Sequence, residues 1–222
     1  AASELYTAML RDVCRAVEAS GGDLLINYRA DDDVPAEYAG DQSAEAEVRA
    51  AVAPALAAPE EARYEVQVGS SLAARAGNTV THLLDQEGVT SAAVVEPTAP
   101  FLAREIVDNA AMKLRRHDVV LGPADGGRVY YAGFTEDIDF SDAYEPPAVE
   151  TLTDRAVAAD LSVDFLPTMP VVETGADLVT VLSQLSARVT AGRNHPRHTA
   201  ACLADLGLDV TAGADGAQLV RE

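Results

Sequence analysis

The stretch from Ser91 to Phe134 constrains the fold more tightly than any other part of this chain. A short β-branched run, Ala92 to Val95, breaks at Glu96-Pro97 and resumes at Val119-Val120-Leu121. Between them Leu102, Ile106, Ala110 and Leu114 recur at helical spacing, so the order predicted is strand, loop, helix, strand. A glycine-bearing loop, Gly122 to Gly127, then leads into a further strand from Val129 to Phe134. A βαβ unit of this kind belongs to open α/β sheets, whose ligands sit outside the carboxyl ends of the strands. The loops at those ends are Glu96 to Pro100 and Gly122 to Gly127, and the site is predicted there.

The run LRRHDVVLGPADGG, preceded by a loop ending in Pro100 and Leu102, resembles a family of small glycosyltransferase-A-fold proteins grouped with the nucleotide-diphospho-sugar transferases. It is more distantly similar to the nucleotidyltransferases that load guanylate onto phospholactate or molybdopterin. The resemblance implies a Rossmann-like, three-layer α/β/α sandwich with a mostly parallel central sheet. It also implies transfer chemistry on a nucleotide or nucleotide-sugar, with Mg2+ or Mn2+ as cofactor. In that family the first loop usually reads GSDxPxL, and its Asp is the expected metal ligand. Thr98 stands in that place here, and a neutral hydroxyl does not replace a hard anionic oxygen for such an ion. At four positions where the family carries carboxylates this chain has Ser71, Ala74, Thr98 and Val171.

By residue type, the carboxylates such chemistry needs are sought in Glu96 and Asp125 as catalytic groups and in Glu96 and Glu173 as metal ligands, Glu96 lying two residues before Thr98 and hence on the same face of an extended strand. The run from Gln67 to Arg75 is similar to the family's QxGxDLGER, which implies nucleotide-binding roles for Gly69, Ser71 and Arg75, joined by Gly126 and Gly127 in the second loop. A helix start of this kind turns backbone amides toward an anionic ligand. Each feature also has an ordinary reading: Ser71 as an N-cap, Asp125-Gly126-Gly127 as a tight turn, Thr174 with Asp177 as a capping box. Against the family's GPAxDGGYYLIG, aligning the glycine pair leaves one residue missing before Asp125 and one added at Arg128, whereas aligning without gaps puts Arg128 at a glycine position, where its side chain would obstruct a close approach of backbone to a sugar. Two functions stay open: an active transferase, and a degenerate homologue serving as a nucleotide-binding or structural subunit.

Length and charge narrow the setting. The 222 residues suit one domain spanning 1–222, with a C-terminal helix and hairpin, 196–222, as an appendage. Asp and Glu outnumber Lys and Arg 36 to 16, giving a net charge of −20, and Lys113 is the only lysine. That is the composition expected of a halophilic, cytoplasmic protein, whose self-repulsion is screened by salt. It argues against nucleic acid or an anionic membrane as partner. No apolar run reaches the ~20 residues needed to span a bilayer. Cys14 and Cys202 form no CxxC, and Cys14 is expected to pack as a small hydrophobe in the first helix.

The remaining elements follow by pattern. Leu5, Met9, Val13 and Val17 mark a helix over 3–19, closed by Gly21-Gly22, with a strand at 24–28 after it. The resembled family places a strand and a basic nucleotide-gripping loop before such a helix, so a strand and loop are expected upstream of residue 1. Asp31 to Asp33 read as a solvated acidic loop rather than a cation site. Ser43 begins a helix that Pro54 kinks or ends. Tyr64, Val66 and Val68 alternate with polar residues, predicting a strand with one buried face. Helices follow near 148–157, 178–189 and 196–206, with a strand at 162–166. His195 and His198 have metal-compatible spacing but no third ligand, so zinc is not expected. The terminal hairpin, turned at Gly213-Ala214-Asp215-Gly216, could pair with an edge strand or with another subunit.

Overall fold

The computed structural model describes residues 1–213 and 216–221. The first helix, α1 (Ala2–Ser20), buries Leu5, Met9 and Val13 as their four-residue spacing requires, and Gly21 ends it in the left-handed conformation at φ 76. Strand β1 (Leu25–Tyr28) pairs in parallel with β2 (Arg63–Val66), and α2 (Ala44–Val52) connects them. Ser43 caps α2, and Pro54 ends it early in a 3₁₀ turn at Ala53–Ala55, because proline cannot supply the next helical N–H. Cys14 packs with Ile26 and Val52 in a small core between α1 and this sheet. Burial pushes its thiol up to about 12, so it stays protonated and inert.

The larger sheet runs in the order β3-β5-β4-β6, formed by β3 (Ala92–Val95), β5 (Val129–Phe134), β4 (Val119–Pro123) and β6 (Val163–Phe165). Helix α3 (Leu72–Thr81), extended by a π-helical turn at His82–Gln86, precedes β3, and α4 (Arg104–Lys113) joins β3 to β4. The sequence order of strand, helix and strand is as expected, but the sheet is not mostly parallel. β5 lies between β3 and β4 and is antiparallel to both, so the two strands of the βαβ unit run the same way without touching. The reversal is made at Gly126 and Gly127, both at positive φ (72 and 76), which send the chain straight back along β4. Only the β4–β6 pairing is parallel in this sheet. β1 is not hydrogen-bonded to β3, so each leaves one edge without a strand partner among the described residues.

Every residue of β5 is buried, and Tyr130 and Phe134 are among the largest fully buried side chains. Two further clusters flank this sheet. One joins α1, α4, β4 and β5 to α6 (Gly175–Thr190) and α7 (Arg197–Asp205); the other joins β3, β4 and β5 to Phe140, Ala143 and α5 (Ala148–Ala158). Helix α7 is locked to α1 by Asp12, whose buried carboxylate accepts from the amides of His198 (3.1 Å) and Thr199 (2.7 Å) and from the Thr199 hydroxyl (2.7 Å). Pro196 is the N-cap, one position before the first helical turn where the sequence places it. Strands β7 (Leu208–Gly213) and β8 (Gly216–Arg221) pair antiparallel as expected, and β8 is exposed throughout. Two of the four residues named for its turn, Ala214 and Asp215, lie outside the described residues. Among the described residues no helix is long and apolar enough to cross a membrane.

Candidate functional site

The site is built at the carboxyl ends of the strands. β3 is followed directly by Glu96, whose amide donates to the Tyr130 carbonyl of β5 (3.0 Å), and the chain then turns through Ala99 N–H to Glu96 O (3.2 Å) and Leu102 N–H to Ala99 O (3.0 Å). Opposite it, the segment after β6 is stitched to this turn by Val172 N–H donating to Thr98 O at 2.8 Å. Glu96 and Glu173 are thereby brought into one electrostatic environment.

Glu96 is a strongly perturbed carboxyl, shifted upward. Loss of solvent pushes its pKa up to about 7, the nearby Glu173 charge adding to the rise and Arg75 opposing it. A carboxyl in that range can exchange a proton near neutrality. Beside it the hydroxyls of Thr98 and Tyr144 are both solvent-excluded and have no hydrogen-bond partner among the described residues. Burial and then the Glu96 charge raise the Tyr144 phenol well above its usual range, so it is a donor and never a phenolate at neutral pH.

Arg75 reaches this group from α3. Ser71 caps that helix by accepting from Ala74 N–H at 3.1 Å, so its oxygen serves the ordinary capping role. Gly69, at φ +135, lies so close over the helix start that an added Cβ would fall 2.8 Å from Arg75 N and 2.9 Å from Ala74. The close packing explains why glycine stands there. Gly69 and Arg75 border an open cleft of about 460 Å³ beyond the carboxyl ends of β1 and β2, lined also by Arg29, Asp33, Gln67 and Ser70. That volume lies within the roughly 300–1,000 Å³ of small-molecule sites. Val66 and Val68, expected on a buried face, are 45% and 63% exposed because they line this cleft instead of core.

The second loop behaves differently from the first. Ala124 N–H donates to Arg128 O (2.8 Å) and closes the turn, and an added Cβ on Gly127 would meet Pro147 at 2.8 Å. Gly126 and Gly127 thus have a structural reason to be glycine. Asp125 is exposed at the tip, and its carboxylate makes no hydrogen bond or ion pair among the described residues. Arg128 braces the loop and reaches past it: its Nε donates to Asp125 O (2.8 Å), its two terminal nitrogens pair with Asp177 (3.0 and 3.1 Å), and it lies 3.4 Å from Glu173. Asp177 also closes the capping box with Thr174, and Arg128 chiefly, with those amides, holds its carboxyl below the usual range.

A divalent ion needs several anionic oxygens converging on one point. Among the described residues no group of three or more His, Cys, Asp or Glu side chains is disposed to hold a metal. Glu173 faces the fixed positive charge of Arg128, and burial disfavours the charged form of Glu96. The side chains present therefore do not fit a Mg2+ or Mn2+ site by themselves. Sequence reasoning did not find Arg29 or Tyr144. Arg29 directly follows β1, and that position at a strand's carboxyl end was the available signal; Tyr144 sits in an acidic connection without periodicity and gave none.

The profile of a family described as an uncharacterized protein conserved in bacteria, DUF2064, matches residues 15–143. None of the curated proteins compared with the chain matches significantly. Among solved structures, a "putative nucleotide-diphospho-sugar transferase" from Desulfovibrio desulfuricans G20 superposes with a TM-score of 0.70 at 22% identity, covering 90% of this chain and 81% of that one. The likeness establishes a shared fold.

Proposed function

Since the chain belongs to the DUF2064 family and shares its fold with a nucleotide-diphospho-sugar transferase-like protein, we propose that it binds a nucleotide diphosphate or nucleotide-sugar in the cleft beyond β1 and β2. One observation carries this reading: in a protein of net charge −20, Arg29 and Arg75 line a single cleft at the start of α3, next to the proton-exchanging Glu96. Two guanidinium groups and the first free amides of α3 suit a diphosphate, which takes charge-assisted, bidentate hydrogen bonds. Glu96 then has the pKa of a general acid or base for an acceptor hydroxyl, with Tyr144 and Thr98 offering hydroxyls to the same region. Arg128 supplies a fixed cation beside Glu173 and Asp177.

A second reading, nucleotide binding without transfer, is favoured by the partnerless Asp125 and by the ion pairs that occupy Glu173 and Asp177. Calorimetric titration with UDP, GDP and GTP in concentrated KCl, with EDTA and again with Mn2+, tests the common core of both. Saturable binding weakened at least tenfold by Arg75→Gln is expected; no binding of any of the three refutes it. Release of sugar from a nucleotide-sugar by the wild-type protein, lost in Glu96→Gln, separates the transferase from the binding protein.

A further inference from the structure

A second depression, of about 190 Å³, lies away from that cleft, between α1, the start of α4 and the 188–197 segment. Arg15, Arg104, Arg188 and Arg197 all line it, against two carboxylates, Asp12 and Glu105. Asp12 is already engaged by the amides of His198 and Thr199, so its charge is directed into α7. Four of the chain's 15 arginines thus converge where acids outnumber bases more than twofold overall.

The arginines are also poorly neutralised. Arg15 and Arg197 make no hydrogen bond or ion pair among the described residues. Arg188 lies with its guanidinium carbon 4.5 Å from the centre of the buried Phe101 ring, and apart from one long bond from Nη1 to the Asn194 carbonyl (3.5 Å) its donors are unspent among the described residues. Arg104 spends only its Nε, on Asp108 at 3.1 Å. At the floor, α4 begins without a side-chain cap, because Ala103 has no acceptor to offer, and the amides of Arg104 and Glu105 have no intrahelical partner.

We infer that this depression is a binding site for a phosphate dianion, either free or as the phosphomonoester of a small molecule. Several guanidinium forks lining one hollow match the tetrahedral array of acceptor oxygens on phosphate better than a planar carboxylate. In a strongly acidic protein, a locally positive hollow has no use for cations and concentrates anions. The site is independent of the nucleotide cleft, whose arginines are Arg29 and Arg75.

The test is titration of inorganic phosphate, glucose 6-phosphate and malonate by calorimetry in about 0.1 M KCl, where exposed charges are only partly screened. The proteins compared are the wild type, an Arg15→Gln/Arg197→Gln double variant with unchanged circular dichroism, and Arg75→Gln. Saturable phosphate binding is expected, weakened about tenfold or more in the double variant, since each charged hydrogen bond is a large fraction of such an affinity, and within twofold of wild type in Arg75→Gln. Tighter binding of glucose 6-phosphate than phosphate assigns a phosphomonoester, and equal or weaker binding assigns free phosphate. No saturable phosphate binding, binding untouched by the double variant, or malonate binding as tightly as phosphate overturns the inference.

Discussion

Replacing Glu96 by Gln should stabilise this protein, and by an amount that depends on pH. The side chain keeps its shape and hydrogen-bonding capacity but loses its charge. In the folded protein burial, and then Glu173, push the Glu96 pKa from 4.5 up to about 7. Between those values the unfolded chain has released a proton that the folded chain still holds, so folding becomes less favourable as pH rises. At pH 5 the penalty is small, under about 1 kcal/mol; above pH 7.5 it approaches its limit of about 3 kcal/mol, since each pH unit between the unfolded and folded values costs about 1.4 kcal/mol. Gln carries none of this penalty. For a domain of this size, about 3 kcal/mol corresponds to roughly 6–12 °C in Tm. Thermal melts of wild type and Glu96→Gln at half-unit steps from pH 5 to pH 8 in one KCl concentration measure it directly. A gap in Tm that opens between pH 5 and pH 7.5 and then levels is the expected result. A gap that is constant with pH, or a variant less stable than wild type at pH 8, would refute the assignment of Glu96 as a desolvated carboxyl.

Three further outcomes follow from the packing. Asp12→Ala strips three donors on α7 of their buried acceptor and should cost roughly 3–5 kcal/mol, with chemical denaturation showing whether α7 detaches first. Arg128→Gln removes the pair with Asp177 and should cost about 1–3 kcal/mol at neutral pH. That loss is complete above the ordinary aspartate range and shrinks as pH falls through it toward the lowered Asp177 value, so urea melts should show a smaller difference at pH 3 than at pH 7. At Gly77 an added Cβ would lie 2.8 Å from Phe140 Cβ, so Gly77→Ala should destabilise by about 1–3 kcal/mol despite the helix propensity it gains, as a thermal melt will show.

Local structure was legible in this sequence wherever it follows from spacing or caps. The helical face of Leu5, Met9 and Val13, the stop at Pro54, the N-caps Ser43 and Ser71, the capping box of Thr174 and Asp177, and the strand Val129–Phe134 all carry their cause in a few neighbouring residues. What spacing does not carry is which strands lie side by side. Val119–Leu121 and Ala92–Val95 look adjacent along a βαβ pattern, yet the reversal at Gly126-Gly127 lets β5 enter between them. The same limit applies to the site. Glu96 and Glu173 were identified by residue type, but the pairing of Glu173 with Arg128 depends on tertiary placement that no local pattern encodes. Val66 and Val68 had the alternation of a buried strand face and instead border the cleft, because hydrophobic periodicity marks a face without saying what covers it.

The most direct test is a crystal structure with a nucleotide diphosphate and Mn2+ both supplied in excess. The account predicts the diphosphate against Arg29, Arg75 and the start of α3, with Glu96 and Glu173 coordinating no ion. Manganese ligated by Glu96 and Glu173, or a diphosphate bound elsewhere on the protein, would contradict it.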